Sequence, residues 1–490
     1  MIEEKNCFHR LSEHQIDTAP LPLTGVEVET ETALISMPSL CTNNLHLLPA
    51  SLETDEVQKA ELGSQGFFIS DDGSFTYSHE SNVSLSFYKS DLGLPFAVNM
   101  DRGGVVTRPD GSHAACIADG ASGDGFFSAF VAQMICEHFL KTYLCKSMQF
   151  TENSIQNRLI ATDEFYNCAQ VVHKQSPNAL QGSSTALFVE CVPVGQKNQK
   201  NLYRVQTIAL GDGAAFLINF GENKIAQLNK ITRRLDSQGY PDATHAGGLI
   251  SSKAYIERLE NTCATYIEAS EDDYIILVTD GFLDNVRDDQ DLQLTYFIAR
   301  HPFFDQPVEQ LTKYDRFWEN WQDWRKTQLP TIEQLKKFIC DNSKGHKFVF
   351  PKPTPEQVTK RLATYVKLIT HHDTRLESAL YKREMPKPEV LPKPEVKEMQ
   401  KVRVKQPISP IPPLSVKPKA IVEQPVEQKS QSIPAKTNTN IASIIDNKKV
   451  AKVINDSMHN KPKTDDCMII TMKPGSGEGT LAKDFSSLSI

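Results

Sequence analysis

The sequence predicts an α+β fold, and three observations carry that expectation. Strand-like runs both precede and follow a pair of amphipathic helices, the order of a layered α+β domain. Two of the strands are apolar throughout and end in Asp-Gly, at Asp119-Gly120 and Asp280-Gly281. After about residue 382 the composition turns to proline and lysine, and a strand-like run returns beyond it.

Taken in order, residues 1 to about 60 have mixed polarity without a sustained period, and read as a poorly structured or loosely docked extension. Runs at Gln65–Ser70, Ser74–Ser78 and Val83–Tyr88 have the form of a β-meander. Phe96–Asp101 then leads through Gly103-Gly104 to a turn at Arg108-Pro-Asp-Gly111. A two-residue hairpin loop at Asp110-Gly111 sets Asp101 across from Gly120 and beside Asp119; a bulge at Gly103-Gly104 would shift that register by one or two. Phe126, Phe127, Phe130, Met134, Phe139 and Leu140 recur at helical spacing between Gly125 and about Tyr143, and a second helix is predicted from about Ser154 to His173. Strands resume at Ser183–Glu190 and in a hairpin over Thr207–Ile218. The run Asp273-Tyr-Ile-Ile-Leu-Val-Thr-Asp280 is short and apolar enough to be a fully buried strand.

Asp-Gly by itself usually marks a tight turn. Asp72-Gly73, Asp110-Gly111 and Asp212-Gly213 lie between two strand-like runs and are assigned to turns. Asp119 and Asp280 instead end buried strands with no clear partner strand directly after. A carboxylate in such a place is costly unless it is paired, hydrogen-bonded or bound to a cation. Asp101, Asp119 and Asp280 therefore point to one hard cation site.

Composition narrows the classes. Apolar residues make up 39% of the 490 and aromatics 8%, which is low for a wholly packed chain. A net charge of -8 argues against a nucleic-acid partner. The ten cysteines are scattered without a C-x-x-C pair, which suits buried free thiols in a reducing compartment. The acidic start Met1-Ile-Glu-Glu-Lys lacks an apolar signal core, and no run is long enough to span a bilayer. The expectation is a soluble, cytoplasmic protein with no membrane partner, delivery into another cell being left open.

The order of these signals resembles the protein phosphatase 2C family, the metal-dependent serine/threonine phosphatases. Asn99-Met-Asp101 matches its first acidic motif, Ile117-Ala-Asp119-Gly120 its Asp-Gly motif, and Gly182-Ser-Ser-Thr-Ala186 its Gly-Ser/Thr-Thr-Ala strand. Ala209-Leu-Gly-Asp-Gly213 looks like its Gly-Asp-Ser hairpin, and Leu277-Val-Thr-Asp280-Gly-Phe-Leu-Asp-Asn285 like its Ser/Thr-Asp-Gly-Leu-x-Asp motif. The resemblance implies a four-layer α-β-β-α sandwich of two antiparallel sheets flanked by helices. It also implies hydrolysis of phosphoserine and phosphothreonine in a phosphoprotein substrate, by a water activated between two Mn²⁺ or Mg²⁺ ions about 4 Å apart.

Beyond Asn285, residues 288 to about 350 read as a helical insertion in which Tyr314, Phe317, Trp318, Trp321 and Trp324 pack as core, with a recognition surface as the other reading. Val358 to about Tyr381 forms one more helix and closes a phosphatase-like domain of residues 61–381. Residues 382–463 form a disordered Pro/Lys-rich linker, with Pro-Lys-Pro-Glu-Val at 386–390 and again at 392–396 and P-x-x-P at Pro407-Pro410-Pro413. That stretch is a spacer or a ligand for a proline-recognising domain. Thr464-Asp-Asp466 followed by an apolar run resembles the family's last metal motif, making 464–473 the final strand and Asp465 the ligand, with Asp373 of His371-His-Asp373 as rival. Residues 474–490 are a flexible tail.

The implied metal set is Asp101, Asp119, the carbonyl of Gly120, Asp280 and Asp465. Where the family's animal members carry a phosphate-gripping arginine and a proton-donating histidine, this chain has Phe96 and Ala121, and Arg102 is the candidate phosphate-binding cation. The implied activity is that of a monomeric phosphatase. The alternative is a catalytically weak or inactive pseudophosphatase serving as a protein-interaction scaffold.

Overall fold

The computed structural model describes residues 7–10, 45–48, 64–70, 75–82, 88–89, 95–96, 99–108, 110–121, 126–144, 147–176, 182–235, 241–253, 255–287, 290–314, 316–326, 328–343, 345–384 and 465–474. The expectations for the linker and the tail lie outside these residues, as does most of the N-terminal extension. From that extension, Cys7–Arg10 and Leu45–Leu48 are strands that pair into the two large sheets.

Alternation along the strands builds four layers. In His113–Ala118 the side chains of Ala115 and Ile117 face an opposing sheet, while Ala114, Cys116 and Ala118 face helices. Tyr274–Val278 divides in the same way: Ile275 and Leu277 point between the sheets, Ile276 and Val278 outward to a second helical layer. A strand covered on both faces is apolar at every position, which is why both runs stood out in the sequence. One sheet has six strands in the order Cys263–Ser270, Lys200–Leu210, Ala186–Lys197, His113–Ala118, Arg102–Thr107, Leu45–Leu48, all antiparallel. The other has seven, in the order Cys7–Arg10, Lys224–Gln227, Ala214–Asn219, Tyr274–Val278, Cys467–Pro474, Phe75–Asn82, Ser64–Ile69. It is antiparallel apart from the parallel edge pair of Cys7–Arg10 with Lys224–Gln227.

On the outer face of the six-stranded sheet lie α1 (Phe126–Thr142) and α2 (Ser154–Gln175), packed through Ile135, Phe139 and Phe165. Over the other sheet lie α3 (Asp280–Leu283), α4 (Asp291–Arg300), α5 (Val308–Leu311), α6 (Phe317–Lys326), α7 (Ile332–Asn342) and α8 (Pro355–Glu384). Phe317, Trp321 and Trp324 recur on one face of α6 and enter the same core as Ile276, Phe338 and Tyr365, while Trp318 is left exposed. The described cysteines are free thiols, all buried except Cys340. Among the described residues no helix is long and apolar enough to cross a membrane.

Three local expectations need correction. The run Ser183–Glu190 is two strands, because Ser183–Ser184 pairs with Gly120–Ala121 in a small separate sheet before Ala186 joins the large one. Of the third meander strand, Tyr88–Lys89 pairs with Pro95–Phe96 rather than extending the large sheet, and 83–87 lie outside the described residues. Asp212-Gly213 does not close a hairpin: Leu210 belongs to the six-stranded sheet and Ala214 to the seven-stranded one, so the chain changes layers there.

Candidate metal centre

Strand register decides where the carboxylates meet. Arg102 pairs with Ala118, so one step further Asp101 lies opposite Asp119. In the facing sheet Ala214 pairs with Val278, and two steps beyond them Asp212 lies opposite Asp280. Val278 also pairs with Ile469, which brings Asp465 and Asp466, just ahead of Cys467, to the same end. The sequence-based register was off by one residue. The hairpin closes between Arg108 and Ser112 (N–H to carbonyl, 2.9 Å), with Gly111 at φ 75°. This is a three-residue loop with glycine in the left-handed position, and Gly103 and Gly104 pair regularly without a bulge.

Short hydrogen bonds lock the cluster's backbone. The Thr279 hydroxyl donates to Asp101 Oδ2 at 2.6 Å and accepts from the Met468 N–H at 2.8 Å, tying three segments together. Asp466 Oδ2 accepts from the Met100 N–H at 2.7 Å, so Asp466 holds the loop before Asp101. The Asp119 N–H donates to Thr185 Oγ1 (3.0 Å), and its carbonyl accepts from Thr185 N (2.9 Å) and Ser184 Oγ (2.7 Å). Gly281 is required by close approach: a Cβ there would lie 1.8 Å from the Asp466 carbonyl oxygen. Gly120 is packed as tightly, since a Cβ would sit 2.9 Å from the Met100 carbonyl oxygen and 2.8 Å from the Ser128 carbonyl carbon. Arg102 turns its guanidinium inward, where Nη1 donates to the carbonyls of Asp101 (2.7 Å) and Asn99, and the side chain is buried.

Two acids and a cation join the set that sequence reasoning missed. Asp284 follows Asp280 by one helical turn, its N–H donating to the Asp280 carbonyl at 2.7 Å. One carboxylate oxygen each from Asp280, Asp284 and Asp465 lie within 4.8 Å of one another. Asp212, read as a turn residue, is buried at the layer change. Arg233 pairs with Asp284. It lies in a short ribbon, Arg233–Leu235 with Pro241–Ala246, that starts where Thr232 N and Oγ1 donate to the Gly211 carbonyl. The i, i+4 spacing of Asp280 and Asp284 was a usable signal; nothing in the sequence pointed to Arg233. The backbone of Asp373 lies in α8, and its side chain is outside the described residues.

Crowding shapes the electrostatics. Burial, then the neighbouring charge of Asp466, pushes the Asp101 carboxyl well above the usual carboxylate range. Burial and then Asp280 do the same to Asp119. Burial and then Asp280 raise Asp212 to about 7, against the lowering effect of Arg233. Asp101 Oδ1 and Asp212 Oδ1 are buried and accept no hydrogen bond from the described residues. Buried carboxylate oxygens without a donor among the described residues fit a hard divalent cation, Mg²⁺ or Mn²⁺, better than zinc, which favours nitrogen and sulfur.

No family model and no curated protein matches the chain. Among solved structures it is similar to the S. agalactiae serine/threonine phosphatase, at 13% identity and TM-score 0.31, covering 55% of this chain and 94% of that one. It is also similar to a phosphatase from Toxoplasma gondii (10% identity, TM-score 0.33, 48% and 83% covered). A third is the serine/threonine phosphatase Stp1 from Staphylococcus aureus (13%, TM-score 0.29, 54% and 89%). With scores this low, the order of the motifs and the geometry of the site carry the functional reading.

Proposed function

We propose that the chain is a metal-dependent phosphoprotein phosphatase acting on phosphoserine and phosphothreonine. The observation that supports it most is the convergence of Asp101, Asp119, Asp212, Asp280, Asp284 and Asp465 at one end of two facing sheets, with two buried carboxylate oxygens, Asp101 Oδ1 and Asp212 Oδ1, that no donor among the described residues satisfies. Asp101, Asp119, the Gly120 carbonyl, Asp280 and Asp465 would hold two Mn²⁺ or Mg²⁺ ions. Bound there, such ions supply an ionised water as nucleophile and positive charge against the phosphoryl oxygens.

The chain's own groups do the positioning. Thr279 fixes the rotamer of Asp101 and the start of the last strand at once, so the acids from the two sheets keep their spacing. Arg102 rigidifies the Asn99–Asp101 backbone, a holding role in place of the phosphate contact expected from sequence. In this reading residues 61–381 and 464–473 form one phosphatase-like domain with a helical insertion at 288–350, to whose sheets the strands Cys7–Arg10 and Leu45–Leu48 add edges. The protein would work as a cytoplasmic monomer.

Phe96 and Ala121 stand where the resemblance placed an arginine and a histidine, and they favour the second reading, a scaffold that binds metal without turnover. The test is release of phosphate from a phosphothreonine peptide in millimolar Mn²⁺ or Mg²⁺. Release that chelation abolishes is expected. Calorimetric Mn²⁺ binding without release would favour the scaffold.

A further inference from the structure

The acidic cluster is not symmetric in charge. Asp101 and Asp119 are crowded by other acids, while Asp212 and Asp284 already face a cation, the guanidinium of Arg233. Arg233 Nη2 pairs with Asp284 Oδ1, and the two side chains are 13% and 7% exposed, so this is a largely desolvated ion pair rather than a surface one. Burial works against the charge on Arg233, but Asp284, Asp212 and Asp280 together outweigh it and hold the guanidinium's pKa above its usual value. The Asp284 carboxylate serves both sets: it contributes an oxygen to the trio with Asp280 and Asp465, and its Oδ1 receives Arg233. Beside it, buried Asp212 Oδ1 has no hydrogen-bond partner among the described residues and points to a charge deficit that Arg233 only partly fills. The ribbon carrying Arg233 springs from the Gly211 carbonyl next to Asp212, so the cation is anchored beside that acid.

Resting on the metal-dependent reading above, we propose that Arg233 is a resident counter-cation. It occupies the Asp212–Asp284 side of the cluster in competition with a divalent ion and so limits how strongly that side takes metal. Where an ordinary acidic cluster gains its cations from solution, this one carries a tethered one that must yield Asp284 before an ion can take both of its oxygens.

Calorimetric Mn²⁺ titration of the full chain tests this, together with melting in chelator. Arg233→Gln should bind Mn²⁺ roughly tenfold or more tightly than wild type, because a competing positive charge within a few ångströms is gone. In chelator the variant should melt below wild type, its three acids having lost their counter-charge, and saturating Mn²⁺ should restore it. Arg233→Lys, which keeps the charge, should track wild type in both measurements. Arg233→Met, which keeps the aliphatic stem, replaces the glutamine variant if that one fails to fold. Equal or weaker Mn²⁺ binding in the neutral variant, or a lysine variant that behaves like the neutral one, overturns the proposal. If wild type and variants all bind no Mn²⁺, the metal-dependent reading falls and takes this inference with it.

Discussion

The two ends of the His113–Ala118 strand bury carboxylates in opposite ways. Near His113, Glu190 is fully buried, yet Arg108 Nη1 donates to Oε1 at 2.6 Å, and the Met148 N–H (2.9 Å) and Gln206 Nε2 (3.1 Å) donate to Oε2. Arg108 also reaches Ser147 Oγ at 2.7 Å and pairs with Asp110. Near Ala118, acids face acids, and Asp101 Oδ1 and Asp212 Oδ1 receive no hydrogen bond from the described residues. The same strand thus ends in a closed ionic network on one side and an open one on the other. A closed network is a structural element, whereas an open one fits a ligand cation.

Mutation should separate the two ends. The largest stability effect is expected at the closed end, where Glu190→Ala should cost about 3–5 kcal/mol in chemical denaturation, since it removes the buried partner of Arg108 and leaves it Ser147 and the half-exposed Asp110. A loss below about 1 kcal/mol would mean that water reaches Arg108. At the open end the large effect is on rate. Asp280→Asn should slow metal-dependent phosphate release more than about a hundredfold, roughly 2.7 kcal/mol. Its melting temperature in chelator should stay equal to wild type or rise, because one repelling charge is removed. A variant that melts lower in chelator would show that the Asp280 carboxylate adds stability without metal.

Subtler is Asp119→Asn, which should leave chelator stability within about 1 kcal/mol of wild type while abolishing the Mn²⁺-induced rise in melting temperature. The smallest effect is one of pH. Burial, opposed by its hydrogen bonds and Arg108, pushes Glu190 up to about 7. A carboxyl raised in the folded state contributes stability that is fully present below its ordinary pKa and is lost as pH rises through the folded value. The stability advantage of wild type over Glu190→Gln should therefore shrink between pH 5 and 8, and an advantage that grows would show that the ionised pair is the favoured form.

How much of this was legible in the sequence follows from how local each cause is. Asp119 and Asp280 could be read because burial on both faces makes a strand uniformly apolar, whichever sheet it joins. The opposition of Asp101 and Asp119 was nearly recovered, missing by one residue because Arg108-Pro-Asp-Gly111 is compatible with loops of two or three residues. Asp212 was misassigned for a deeper reason: a glycine-flanked aspartate looks alike whether the chain folds back on its own sheet or crosses to the facing one. That distinction depends on partners distant in sequence. Arg233 lay further out of reach, since its meaning comes from Asp284, 51 residues away. The last strand was found despite the long stretch before it, because Cys467–Met472 is buried throughout and its apolar run contrasts with the surrounding composition.

The position of that strand also sets a timetable. Cys467–Pro474 lies in the interior of the seven-stranded sheet, between Tyr274–Val278 and Phe75–Asn82. A ribosome adding roughly 5–20 residues per second needs on the order of 10–40 seconds to travel from Val278 to Cys467. A chain that folds as it emerges would hold a gap throughout that interval where a central strand belongs, with two β-edges open to wrong partners. Asp465 and Asp466 emerge just ahead of the strand that closes the gap, so the acidic cluster is completed only as the sheet is sealed, and unfinished chains would have no assembled centre.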